Sequence, residues 1–222
     1  TVSDSALTVY TMSNSMPYVD IESFVRMISG AVIYSELDFV VQDEQLSVDL
    51  FVESDDPLYD DVQYRLAFGF SGQGSAMVNY YSFFGAISAD TETDFGRGLE
   101  FIAYEDNSNE VEPVLFDLAA YNMELYRGEE GFLAPLHLVN LFLSGSVYDV
   151  VYNGDRLYGQ DTYGFSDSIN RFNRSSLNDE EMPYDLKLMT YHYTAFVMNH
   201  FFGLREDLGI EDFYTVLEQE EI

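Results

Sequence analysis

One motif occurs twice in this chain, its copies 115 positions apart: a hydrophobic hairpin feeding a short amphipathic helix that stops at Ser-Gly. The first copy reads Tyr18-Val-Asp-Ile-Glu-Ser-Phe-Val-Arg-Met-Ile-Ser-Gly30, and the second Leu133-Ala-Pro-Leu-His-Leu-Val-Asn-Leu-Phe-Leu-Ser-Gly145. In register, Ile21, Phe24 and Ile28 fall on Leu136, Val139 and Leu143, the i, i+3, i+7 stripe with which a helix buries one face. A helix of this length is not stable on its own and must pack its stripe on something. The repeat therefore predicts a scaffold of two like units, each running strand, strand, helix, strand, strand.

The local signals fill in that plan. Leu7 to Tyr10 reads as a strand, Asp20 as the N-cap of the first helix and Gly30 as its stop. Leu37 to Val41 and Leu46 to Val52 form a hairpin with period-2 alternation in the second arm. In the second unit, Met123-Glu-Leu-Tyr126 and Phe132-Leu133 flank the turn Arg127-Gly-Glu-Glu-Gly131. The helix has Pro135 in its first turn, and Asn153-Gly154 links the strands Val147 to Tyr152 and Arg156 to Tyr158. Val62 to Phe70 and Gly98 to Tyr104 are further strand candidates. Asp161 to Asn178, rich in Asn, Ser, Asp and Arg, reads as an irregular connection. Asp185 to Leu204 carries Leu186, Met189, Tyr193, Val197 and His200 or Phe201 at helical spacing, and a short helix spans about 211–219. The expected class is α+β, with a duplicated β/α region over 1–160 (copies about 7–52 and 123–158) and a helical tail over 161–222.

With 47% hydrophobic residues the chain has material for a substantial core. Forty acidic residues against eight Arg and the single Lys187 give a formal charge of -31. Such a surface repels phosphate backbones and anionic headgroups, so nucleic acid and membrane surfaces are poor partners. High-salt adaptation and a solvated secreted surface both produce acidity. Eighteen Tyr and 18 Phe favour the secreted reading, since salt-adapted chains are expected to thin out large apolar groups. The absence of cysteine excludes disulfides and thiol chemistry. No apolar run is long enough for a membrane helix. The opening Thr1-Val-Ser-Asp-Ser-Ala and the closing Leu217 to Ile222 read as the ends of a mature or trimmed product.

No catalytic site and no cofactor are expected from the motifs. Gly69-Phe-Ser-Gly-Gln-Gly-Ser75 matches neither a nucleophile elbow nor a dinucleotide loop, and reads as a loop at a strand end. His137, His192 and His200 lack the i, i+4 spacing of a helical zinc pair. Calcium is the best inorganic candidate: Asp90-Thr-Glu-Thr-Asp-Phe-Gly96 imitates the start of a calcium loop, with its Gly one position late and Glu100 one position early. Asp55, Asp56, Asp60 and Asp61 read as a solvated acidic loop. Nothing selects a carboxylate pair for glycoside hydrolysis. Tyr80-Tyr81 and Phe83-Phe84 are assigned to the core.

Phe116-Asp-Leu-Ala-Ala-Tyr-Asn-Met-Glu-Leu-Tyr126, Phe132 to Leu143 and Val151-Tyr-Asn-Gly154, taken in order, resemble the N-terminal region of secreted bacterial proteins of the tail-specific (C-terminal processing) serine peptidase family. Tyr191 to Leu204 is similar to the helix that often precedes the protease domain there. The repeat unit resembles the non-catalytic β/α module at the front of copper amine oxidases. The resemblance implies a non-catalytic, extracytoplasmic region, secreted or lipid-anchored, that positions substrate or mediates interactions for a downstream protease domain of the same polypeptide. Family catalysis uses a Ser-Lys dyad. No nucleophile motif occurs here and Lys187 has no identifiable serine partner, so no catalytic residue carries over. The alternative reading is a stand-alone module for an extracellular or cell-wall polymer, with calcium as its tuning ion, and a third is a hydrolase using acidic residues.

Overall fold

The computed structural model describes residues 6–12, 16–29, 32, 36–52, 62–71, 74–78, 83, 113–144, 148–161, 170 and 172–220. The candidates at 53–61, Asp90 to Glu100, Gly98 to Tyr104, Tyr80-Tyr81 and Phe84 lie outside them. The two copies of the repeat meet in one sheet. Strands β1 (Tyr10–Thr11), β2 (Pro17–Asp20), β8 (Tyr126–Gly128) and β9 (Gly131–Pro135) are ordered β1-β2-β9-β8, all antiparallel. Tyr18 pairs with Pro135, Val19 with Ala134 and Asp20 with Leu133. Val19 and Ala134 are also the equivalent residues of the two repeats. A local pseudo-twofold axis therefore passes through that pair, and each unit completes the other's sheet.

The helices obey the same symmetry. α1 (Ile21–Ile28) and α2 (Leu136–Leu143) span equivalent residues, and α1 packs on β9 while α2 packs on β2. Ile21, Phe24 and Ile28 are buried on one side, and Leu136, Val139 and Leu143 on the other. Asp20 joins the units. Its Oδ1 caps α1 by accepting from the Ser23 N–H at 2.9 Å, and its Oδ2 accepts from the Phe132 N–H at 3.0 Å in β9. Gly131, at φ 115°, leaves room for that carboxylate, since a Cβ there would stand 2.3 Å from Oδ2.

Beyond the helices the units diverge. After α1, β3 (Glu36–Gln42) and β4 (Gln45–Val52) enter an antiparallel sheet with β5 (Val62–Gly69), β6 (Ser75–Val78) and β7 (Val114–Asp117), in the order β3-β4-β5-β6-β7. After α2, β10 (Tyr148–Tyr152) and β11 (Leu157–Asp161) remain a hairpin. One residue pair accounts for part of this. Asn140 accepts from the Val150 N–H at 2.9 Å and donates to Asp149 at 3.4 Å, pinning β10 to α2. Its counterpart Val25 is buried and apolar, with nothing to hold a strand by hydrogen bonds.

The alternation of β4 is realised as Leu46, Val48 and Leu50 facing inward opposite Phe68, Leu66 and Tyr64. This face, with Phe116 of β7, joins both helices and Phe196 in the main core. On the other face Asp49, 4% exposed, receives Arg65 Nε at 2.6 Å and Nη2 at 2.7 Å, and Gln63 Nε2 at 3.1 Å. α3 (Tyr184–Phe201) and α4 (Phe213–Gln219) close the chain. Asn199 joins them, donating to Asp212 at 2.8 Å and accepting from the Phe213 N–H at 2.8 Å.

Some expected boundaries move. Met123 to Leu125 is not strand. Asn122, at φ 53°, ends the 3-10 turn Ala119–Tyr121, and β8 begins only at Tyr126, though Met123 and Leu125 are buried. Leu7 to Val9 lie outside the ladder, in which only Tyr10 and Thr11 pair, with Tyr18 and Pro17. Pro135 ends β9 as the N-cap of α2 and does not sit in its first turn. In α3 the fully buried residues are Ala195 and Phe196, while Tyr193, Val197 and Phe201 of the expected stripe pack partly buried against the same core. Ser176–Asp179 forms a 3-10 turn inside the expected irregular connection.

Candidate functional site

The N-terminal half of α3 is left partly uncovered, and beside it a cleft of about 770 Å³ opens. One wall is Thr11, Met12 and Pro17 at the β1–β2 edge. The opposite wall is Glu180 to Pro183 with Leu186, Met189 and Thr190, and the end is closed by Tyr152, Asn153, Gly154 and Phe172. The size lies within the range of ligand sites, about 300–1,000 Å³.

The local chemistry of each wall comes from its sequence. Asn153 accepts from the Asp155 and Arg156 N–H groups at 3.1 and 2.9 Å, and Gly154 takes φ 95°, so the turn is tight. The Asn153 amide donates to Ser175 Oγ at 3.1 Å, and Tyr158 packs edge-on against Phe172 at 5.6 Å, fastening the connection to the hairpin. Met12 and Met189 of the lining pack against a second apolar cluster of Met16, Tyr18 and Leu133. Unbranched thioether side chains adapt to irregular partners. Thr190 Oγ1 is spent on the Leu186 carbonyl at 2.9 Å. The charged residues lining the cleft are Glu180 and Glu181, the latter 3.0 Å from Lys187 Nζ.

The histidines are not brought together. His137 lies in α2, edge-on to Tyr193 at 4.5 Å; part of the residue reaches solvent, but both ring nitrogens are buried without a hydrogen-bond partner. Burial lowers its pKa to about 3 and raises that of Tyr193 to about 12, Asp149 adding to the latter. His192 joins three elements. Asn122 Nδ2 is 3.0 Å from its Nε2, which must accept, so Nδ1–H donates to Tyr214 OH at 2.8 Å. Burial lowers its pKa as well. His200 packs edge-on against Phe116 at 5.1 Å, and its pKa is lowered by burial and then by Arg205. Lys187 pairs with Glu181 and takes no place beside a nucleophile. At the glycine-rich stretch β5 ends at Gly69 and the antiparallel β6 begins at Ser75, the two residues paired.

Sequence reasoning missed the cleft. Three of the eight methionines, Met12, Met182 and Met189, line it, and their convergence is invisible without the β2–β9 pairing that fixes where the N-terminus lies. Among the described residues, no group of three or more His, Asp or Glu side chains is placed to hold a metal ion, and no helix is long and apolar enough to cross a membrane. No family model, curated protein or solved structure matches the chain.

Proposed function

We propose that this chain is a non-catalytic scaffold of an extracytoplasmic serine peptidase-like protein, and that it receives an extended polypeptide and positions it for a downstream domain that performs the chemistry. The observation that carries this reading is the cleft. It combines an adaptable, methionine-rich lining with β1, the outermost strand of its sheet, whose outer backbone groups have no strand partner among the described residues. Strand addition supplies backbone hydrogen bonds for affinity while pockets read side chains, a recurrent way of taking an extended peptide. The residues that carry the family resemblance support it as well. Tyr126, Pro135 with its helix, and Asn153-Gly154 run consecutively through β8, β9, α2 and the hairpin that ends the cleft.

The test is amide hydrogen exchange of the chain with and without a pool of unstructured peptides. Protection should appear at residues 10–12 and along 183–190, with the peptides recovered intact. Protection confined to other segments, or cleavage of the peptides by this chain alone, would overturn the reading.

A further inference from the structure

The sign of the ligand is written into the cleft. Among its described lining residues only Glu180 and Glu181 are charged, and Glu180 has no ion-pair partner among the described residues. The Glu181 side chain is 88% exposed and shares its charge with Lys187. Asp185 lies in the first turn of α3, where its carboxylate answers the positive end of that helix, and with Glu180 and Glu181 just before it in the chain an incoming anion meets repulsion there. The formal charge of -31 extends the same preference over distance, raising the local concentration of cations and their rate of encounter.

Resting on the reading that the cleft receives extended polypeptide, we infer that its ligand is a segment in which lysine or arginine alternates with apolar residues. The apolar side chains enter between Met12 and Met189, and the cationic head meets Glu180. A structural account of the acids, in which they serve only the helix end, gives a different expectation: Glu180→Gln would lower stability and leave binding alone.

Three capped peptides of equal length and equal leucine content, differing only in having lysine, glutamine or glutamate at two alternate positions, separate these accounts by calorimetry. The lysine peptide should bind about tenfold more tightly than the glutamine peptide at low salt, with the gap closing at about 0.5 M salt, and the glutamate peptide should not bind. Glu180→Gln should weaken the lysine peptide by about threefold and leave the glutamine peptide unchanged. Met189→Ser, its fold verified by circular dichroism, should weaken both. Equal binding of the lysine and glutamine peptides would overturn the charge inference while the cleft reading stands. An unaltered lysine preference in Glu180→Gln would overturn the assignment to that carboxylate. Failure of all three peptides, or indifference to Met189→Ser, would remove the cleft reading itself.

Discussion

His137 offers the sharpest test of the packing, because its two ring nitrogens are buried without partners and its pKa falls to about 3. Replacing it with Phe keeps an aromatic edge against Tyr193 and removes both orphaned nitrogens. At about pH 7.5 the imidazole is neutral in the folded and unfolded chain, so the gain there is relief of buried unpaired polar groups, about 1–3 kcal/mol. The acid side has a definite sign. A depressed histidine pKa means that the unfolded chain, with its ordinary value near 6.5, takes up the proton first, so native stability falls as pH drops below that value. Down to about pH 5, some 1.5 pH units lower, the loss is about 2 kcal/mol at about 1.4 kcal/mol per unit. The His137→Phe variant lacks this loss. Its advantage should therefore widen by about 2 kcal/mol between the two pH values in urea melts followed by far-ultraviolet circular dichroism. The melts belong in about 0.3 M salt, which screens the chain's net negative field and its pull toward protonation. An advantage that stays constant within about 0.5 kcal/mol across that range would refute the claim that the ring is sealed and neutral.

Four further outcomes follow from the joints of the fold. Asp20→Ala removes a helix cap and leaves the Phe132 N–H unpaired, costing about 2–4 kcal/mol, which thermal melts would record as a drop of about 4–16 °C. Gly131→Ala should cost at least about 1 kcal/mol less in the Asp20→Ala background than in the parent, because the nearest clash is with the Asp20 carboxylate; additive costs would contradict that contact. Arg65→Met should destabilise by about 3 kcal/mol by stranding the buried Asp49 carboxylate, whereas Asp49→Ala, which frees a half-exposed guanidinium to meet water, should cost about 1–2 kcal/mol in the same denaturant assay. Asn199→Ala removes the bonds to Tyr121, Asp212 and Phe213 and should cost about 2–3 kcal/mol of local stability. Hydrogen exchange should then accelerate across α4 while the β4–β5 ladder is unchanged.

What could be read from the chain in advance was what neighbours along it decide. The stripes Ile21, Phe24, Ile28 and Leu136, Val139, Leu143 became buried helix faces, Asp20 capped its helix, and Leu46, Val48 and Leu50 alternated into the core. Each is a period or a cap contained in a few residues. The rest depended on partners remote in sequence. That Asp20 also serves Phe132 follows from the β2–β9 pairing, and that His137 packs against Tyr193 and that Met12 and Met189 share one apolar cluster depend on where α3 docks, none of which a local pattern announces. The strand expected at Met123 failed for a similar reason: Met123 and Leu125 are buried, but Asn122 in a left-handed turn delayed the ladder.

The seam between Val19 and Ala134 has a consequence for how the chain is made. On a ribosome β2 emerges more than a hundred residues before β9, and closing so long a loop costs about 4 kcal/mol in chain entropy before any contact repays it. Until then its edge lies open. Because the seam joins equivalent positions of a repeated unit, a waiting strand from one nascent chain presents the same edge that its own second half will fill. Crowded refolding should thus yield dimers that exchange first halves, and dilution during refolding should suppress them.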